Sequence, residues 1–178
     1  IRDAQRTAID FCIQSLVDKR YVIIEAGTGV GKSAIGLTSS RMLCKNAEKY
    51  VDFGEGAYFL TTQKILQDQY ISDFGKDHMR SIKSSSNYQC SYYKRNTCQE
   101  SQRLLRNEEK GSRFFKACTF SCKYKNAKQQ FLESPESVTN FPYFLTEATF
   151  SGKITPRDVL VIDEAHNIEA ELSNFIEI

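Results

Sequence analysis

Three groups of residues in this chain have types and spacings suited to chemistry. The first is Ala26-Gly27-Thr28-Gly29-Val30-Gly31-Lys32-Ser33. A run this rich in glycine can turn its backbone N–H groups inward around phosphate oxygens. Lys32 is then set to reach the β- and γ-phosphates of a nucleotide, and the Ser33 hydroxyl to bind Mg²⁺. The second group is Asp163-Glu164-Ala165-His166. Neighbouring residues at a strand end point in different directions, so Asp163 can face the Mg²⁺ while Glu164 faces an attacking water as general base. His166 offers a polar contact to another domain. The third group is Cys90, Cys98, Cys118 and Cys122, spaced C-x7-C-x19-C-x3-C. Four thiolates can ligate a tetrahedral Zn²⁺ or a [4Fe–4S] cluster, and this spacing alone does not choose between them or exclude free cysteines.

Each nucleotide motif needs a strand before it and a helix after it. Tyr21–Glu25 reads as a short buried strand leading into the glycine-rich loop, and a helix is expected from about Lys32 to Ala47. Its N-terminus would direct the positive end of the helix dipole at the phosphates. Upstream, Ala4, Ala8, Phe11, Cys12 and Leu16 recur at helical spacing over 3–18, with Asp3 as a possible N-cap. Ala57–Thr61 reads as a strand and Gln63–Phe74 as a helix. Asp158–Ile162 is the strand before the acidic motif, with a helix over Asn167–Phe175. Pro142 rules out a long strand through Val138–Leu145. This order argues for an α/β fold with a parallel sheet and helices on its faces.

Between the two nucleotide motifs the composition changes. Residues 80–128 hold 12 Lys/Arg against 3 Asp/Glu, whereas the remainder holds 12 against 19. A basic module is inserted in an acidic body, and such a patch attracts polyanions. The module is expected to be irregular loops and short helices, with Ser101–Lys110 the main helix. Tyr88, Tyr92, Tyr93, Phe114, Phe115, Phe120 and Tyr124 are interleaved with its cations. Rings among Lys/Arg suit a single-strand path, but a module this small needs most of them to pack its own core. Arg95, Arg103, Arg106, Arg113 and Lys116 are candidate phosphate contacts. Cys12 and Cys44 read as buried thiols acting as small apolar groups, and His78 as a surface residue.

Glu25 to Ser33 together with Asp163 to His166 resemble motifs I and II of superfamily 2 helicases, in wording closest to the XPD/DinG-like branch. Arg2 and Gln5 resemble the upstream R-x-x-Q element that contacts the adenine base. Leu60-Thr61-Thr62-Gln63, with Leu66 and Gln67, resembles motif Ia, so Thr61, Thr62, Gln63 and Gln67 are expected to touch single-stranded DNA. The resemblance implies a RecA-like ATPase domain over 1–82 and 129–178. It also implies a cysteine-rich [4Fe–4S] insertion over 83–128, with Cys90, Cys98, Cys118 and Cys122 as ligands and Zn²⁺ the alternative. ATP would sit on Arg2, Gln5 and Ala26 to Ser33, and Mg²⁺ on Ser33 and Asp163. The implied activity is ATP-dependent, 5′→3′ movement on single-stranded or forked DNA. The alternative is a nucleotide-switched binding module with structural zinc. A second RecA-like domain is expected elsewhere in a longer polypeptide, and the isolated chain is expected to bind ATP weakly. The setting is expected to be reducing and intracellular: nuclear in a eukaryote, cytoplasmic in a prokaryote or virus. No apolar stretch is long enough to span a membrane.

Overall fold

The computed structural model describes residues 2–27, 29–45, 56–75 and 78–176. Helix α1 runs over Asp3–Asp18, and Arg2 rather than Asp3 occupies the cap position. The Gln5 side chain accepts the Arg2 backbone N–H at 2.9 Å, closing the first turn. Ile9 and Cys12, one turn apart, are buried, while Phe11 is 55% exposed on another face. Helix α2 covers Lys32–Lys45; the expected end at Ala47 lies outside the described residues. The two helices pack on each other.

Four parallel strands form the sheet. They are β1 (Ala57–Thr61), β2 (Met79–Ser81), β3 (Glu136–Asn140) and β4 (Val159–Ile162), in the order β2-β3-β1-β4. Phe59 stands opposite Val138 on one side and Val161 on the other. Every residue of β1 is buried, as expected of a central strand covered on both faces. Helix α3 (Lys64–Phe74) leaves β1 and packs Tyr70 onto Phe59 with Met79, Val138 and Leu37. Gly56 opens β1 at φ 106°, where an added Cβ would fall on the Pro135 carbonyl oxygen. Its N–H donates to Asp158 Oδ2 at 2.8 Å, tying the starts of β1 and β4 together.

The expected strand at Tyr21–Glu25 does not form. The segment is irregular, with Tyr21 75% and Ile23 87% exposed. A parallel strand exists only beside a hydrogen-bonded neighbour, and no described residues pair with this run. The outer edge of β4 is likewise unpaired among the described residues, and Leu160 is 48% exposed.

The basic segment is more helical than expected. It carries α4 (Cys98–Leu105), α5 (Arg113–Phe120) and α6 (Lys123–Glu133). Helix α4 begins three residues before the expected Ser101. Thr97 and Glu100 cap it reciprocally: the Thr97 N–H donates to Glu100 Oε2 at 2.6 Å, and Glu100 N–H to Thr97 Oγ1 at 3.3 Å. Ser112 Oγ accepts the Phe115 N–H and starts α5. Helix α6 passes through the expected boundary at 128 and feeds β3. After β3, Asn140 caps α7 (Phe141–Thr146), with Pro142 in its first turn. Helix α8 spans Ile168–Ile176. No described helix is long and apolar enough to cross a membrane.

Arg157 fastens the seam between insertion and sheet. Its guanidinium lies 3.9 Å from the Tyr58 ring centroid. It donates to the carbonyls of Ala57 (3.0 Å), Phe131 (3.2 Å) and Leu132 (3.2 Å). Burial lowers its pKa from the ordinary value, opposed by neighbouring Tyr58 and by the charge of Asp158; the guanidinium stays charged. Arg157→Ala strips donors from three carbonyls and a cation from the ring, so it is expected to cost about 2–3 kcal/mol in urea unfolding. Arg157→Lys should recover only part of this, because an ammonium cannot reproduce the planar fork.

Candidate nucleotide site and cysteine cavity

The residues expected to handle phosphate and water converge although 130 positions separate them. Ser33, in the first turn of α2, donates its hydroxyl to Asp163 Oδ2 at 2.8 Å. Asp163 follows β4, and its own N–H donates to Leu60 O at 2.9 Å, so the ladder with β1 sets its height. Its Oδ1 accepts the Glu164 N–H at 3.0 Å. Lys32 Nζ lies 3.9 Å from Glu164 Oε1 and donates to Ala26 O at 3.3 Å. The lysine thus neutralises its own loop and the general-base candidate. Ser33 and Asp163 present hard oxygen donors side by side, the donor set that Mg²⁺ favours. When bound, the ion would offset the negative charge of the phosphates.

The loop takes the shape its glycines permit. Gly29 (φ 78°) and Gly31 (φ 86°) are left-handed. A Cβ on Gly31 would lie 2.5 Å from Gln5 Nε2, the far end of a flexible side chain that can shift, so it is the φ that calls for glycine here. Gln5 Nε2 donates to Val30 O at 2.9 Å, and Arg2 Nη1 to Gly29 O at 3.2 Å. These two residues grip the loop backbone. Thr28 lies outside the described residues.

Glu164 is the one non-glycine residue at positive φ among the described residues, with φ 55° and ψ 45°. That conformation costs an L-residue about 1–2 kcal/mol. It sends Glu164 away from Asp163 and toward Lys32 and His166, whose Nδ1 is 3.3 Å from Glu164 Oε2.

Tyr70 was not legible as a site residue. Its hydroxyl donates to Asp163 Oδ2 at 3.2 Å from a ring that is 2% exposed. Burial first, and the Asp163 charge second, push its pKa well above the ordinary tyrosine value, so the phenol stays a donor. A chain position 93 residues from Asp163 carried no motif that would have singled it out.

The expected DNA contacts divide by exposure. Thr61 is 1% and Gln67 0% exposed, so neither side chain can meet a strand in this arrangement. Thr61 closes β1, whose whole length is covered; Gln67 sits on the face of α3 turned inward. Thr62 is half-buried and Gln63 exposed. Arg95, Arg103, Arg106, Arg113 and Lys116 are all exposed.

Cys90, Cys98, Cys118 and Cys122 are each at most 8% exposed and line one small cavity with Tyr92, Ser101 and Ala117. Cys98 and Cys122 sulfurs are 3.7 Å apart. The Tyr93 N–H donates to Cys90 Sγ at 3.3 Å. Burial, then the neighbouring Cys122 charge, pushes Cys98 up to about 12. Burial, then Cys90, raises Cys118. Cys98 and Cys118 are therefore neutral thiols at pH 7, and a cation among them would displace protons. Among the described residues no three His, Cys, Asp or Glu side chains are drawn together tightly enough for a single ion. Cys12 is buried as expected, whereas Cys44 is half-buried with its sulfur 3.8 Å from Asp158 Oδ2. Phe114, Tyr88 and Tyr124 pack inward, and Phe120 is 79% exposed.

A family model described as "ResIII: Type III restriction enzyme, res subunit" matches residues 1–178. The chain belongs to this family. A solved structure titled "XPD_Helicase" shares the fold, with a TM-score of 0.64 and 20% identity over 98% of this chain. The ResIII chain spans 34% of that structure's length. No curated protein matches it. The expected α/β helicase-type fold is therefore the observed one.

The backbone at Glu164 yields a prediction that does not depend on activity. Glycine adopts φ 55° freely, whereas a β-branched residue does so only under strain. Thermal unfolding is expected to rank Glu164→Gly above the parent and Glu164→Val below it, over a span of about 2 kcal/mol.

Proposed function

We propose that this chain is the ATP-binding and ATP-hydrolysing domain of a DNA helicase that moves 5′→3′ on single-stranded DNA. The observation that carries the reading is the convergence of Lys32, Ser33, Asp163 and Glu164. Lys32 leaves its contacts with Ala26 O and Glu164 to take up the β/γ-phosphates. Ser33 and Asp163 hold Mg²⁺. Glu164 accepts a proton from water, and Arg2 and Gln5 reach from the loop backbone toward the adenine. Family membership supports the ATPase reading; polarity rests on the motif resemblance.

The remaining helicase domains of the same polypeptide are the proposed partners within the chain. The exposed apolar run at Tyr21–Ile24 and the open edge of β4 support this, since further strands there would give both a hydrogen-bonded neighbour. Thr62 and Gln63 at the head of α3, together with the exposed arginines of the insertion, are the proposed path for single-stranded or forked DNA.

Cys90, Cys98, Cys118 and Cys122 fit a [4Fe–4S] cluster as four buried thiols around one cavity. The cluster would supply a rigid cross-link within the insertion. The 3.7 Å Cys98–Cys122 separation suits one edge of a tetrahedral zinc site, where Zn–S bonds of about 2.3 Å set the sulfurs about 3.8 Å apart; in a cluster, where each thiolate binds a different iron, these two sulfurs would have to move apart. The domain limits proposed are 1–82 and 129–178 for the ATPase body and 83–128 for the insertion, although α6 makes the second limit a continuous helix.

Two measurements test the reading. In the complete protein, Glu164→Gln should lower ATP turnover by about 10²–10⁴-fold while nucleotide binding persists; undiminished turnover sinks the assignment. Anaerobically purified protein should carry about four irons and four acid-labile sulfides per chain, lost in Cys90→Ser. One zinc without sulfide would replace the cluster with the structural-zinc alternative and weaken the inference of polarity.

A further inference from the structure

We propose that Tyr70 is a positioning residue of the nucleotide site, its hydroxyl fixing the Asp163 carboxylate in the orientation that receives Mg²⁺. The proposal rests on the reading of Asp163 as a metal-handling carboxylate.

Tyr70 lies outside both nucleotide motifs, in the helix that leaves β1. Its ring has no freedom to swing. It packs against Phe59 at 5.6 Å between centroids and against Phe74 at 5.9 Å, in a core where Phe59 and Val138 are wholly buried. The hydroxyl is therefore delivered to a fixed point, and that point is 3.2 Å from Asp163 Oδ2.

The carboxylate depends on such a contact. The terminal torsion of an aspartate is broad, so the plane of its carboxyl group must be held by partners. Oδ1 is held by the Glu164 N–H. Oδ2 is shared by the Ser33 and Tyr70 hydroxyls. Ser33 is itself a Mg²⁺ ligand in the proposed site. Coordination would use an oxygen lone pair and leave the Ser33 hydrogen free to donate to Oδ2, so Tyr70 would be the partner of that oxygen that is not itself a ligand. The Tyr70 hydroxyl is spent on Asp163, so its part is to orient, not to react.

The experiment uses the complete protein with Tyr70→Phe, Asp163→Asn and the double variant. Phenylalanine keeps the ring packing and deletes only the donor. Mg²⁺ is titrated against binding of a fluorescent non-hydrolysable ATP analogue, and separately against ATP turnover. Loss of one hydrogen bond to a charged acceptor should raise the half-saturating Mg²⁺ about tenfold in both titrations. Turnover at saturating Mg²⁺ should fall far less, and thermal unfolding should stay near the parent. In the Asp163→Asn background the Tyr70→Phe change should add little, because the two act through one oxygen. A parental Mg²⁺ midpoint in Tyr70→Phe, or a shift that adds in full to that of Asp163→Asn, overturns the proposal and leaves the reading of Asp163 standing. An unchanged midpoint in Asp163→Asn overturns the reading of Asp163 and the role of Tyr70 with it.

Discussion

One carboxylate joins the parts of this domain that would otherwise be independent. Asp163 takes its height from β1 through a ladder hydrogen bond, its front contact from Ser33 in α2, and its side contact from Tyr70 in α3. Helices α2 and α3 meet at the one oxygen Oδ2, while β1 holds the backbone N–H of the same residue. The arrangement needs β1 at the centre of the sheet, because α3 departs from its end and β4 runs beside it. It also needs the left-handed turn at Glu164, which keeps the second carboxylate from crowding the first. Two adjacent carboxylates repel one another; here one faces hydroxyls and the other an ammonium.

The insertion is built on the same logic of shared cores. Cys98 and Cys122 belong to one apolar cluster with Tyr58 of β1, Ile82, Tyr124, Phe131 and Tyr143. Cys90 and Cys118 belong to a second, smaller cluster around Phe114. The cysteine cavity lies between the two. Within the first cluster, the Tyr124 and Tyr143 hydroxyls share one hydrogen bond at 3.0 Å and Tyr143 also bonds Glu147, which lets both rings be buried without a stranded donor. Lys128 pairs with Glu147 across the same seam. Burial works against the charge on Glu147, yet the Lys128 and Ser151 contacts prevail and hold its pKa below the ordinary glutamate value.

What could be read from the sequence was whatever is encoded by residue type at short range. The phosphate loop and acidic motif were legible because each packs its chemistry into adjacent residues. Helices α1 and α3 and strands β1 and β4 were legible from periodicity. The failures share a cause. Tyr21–Glu25 has the composition of a buried strand, but a strand is a relation between segments, and its neighbour is not among the described residues. Thr61 and Gln67 carry suitable groups for nucleic acid, yet which way they face depends on which side of β1 and α3 the other helices cover. The capping pair Thr97 and Glu100 was visible and would have moved the start of α4 to Cys98. Tyr70 had no local signal at all: its role exists only once α3 is laid across β1.

The seam at Tyr58 has a mechanical consequence. Helix α6 runs from its cap at Cys122 to Glu133, a two-residue bend short of the strand beside β1, and Arg157 ties the Phe131 and Leu132 carbonyls to the opening of β1. A pull on the cysteine-bearing end of the insertion meets no flexible linker at this junction. It loads a helix axially, then a cation clamp, then the central strand whose far end abuts Asp163. The insertion is joined to the sheet stiffly, as a lever arm is joined to its axle, so displacement at one end is delivered to the other with little slack.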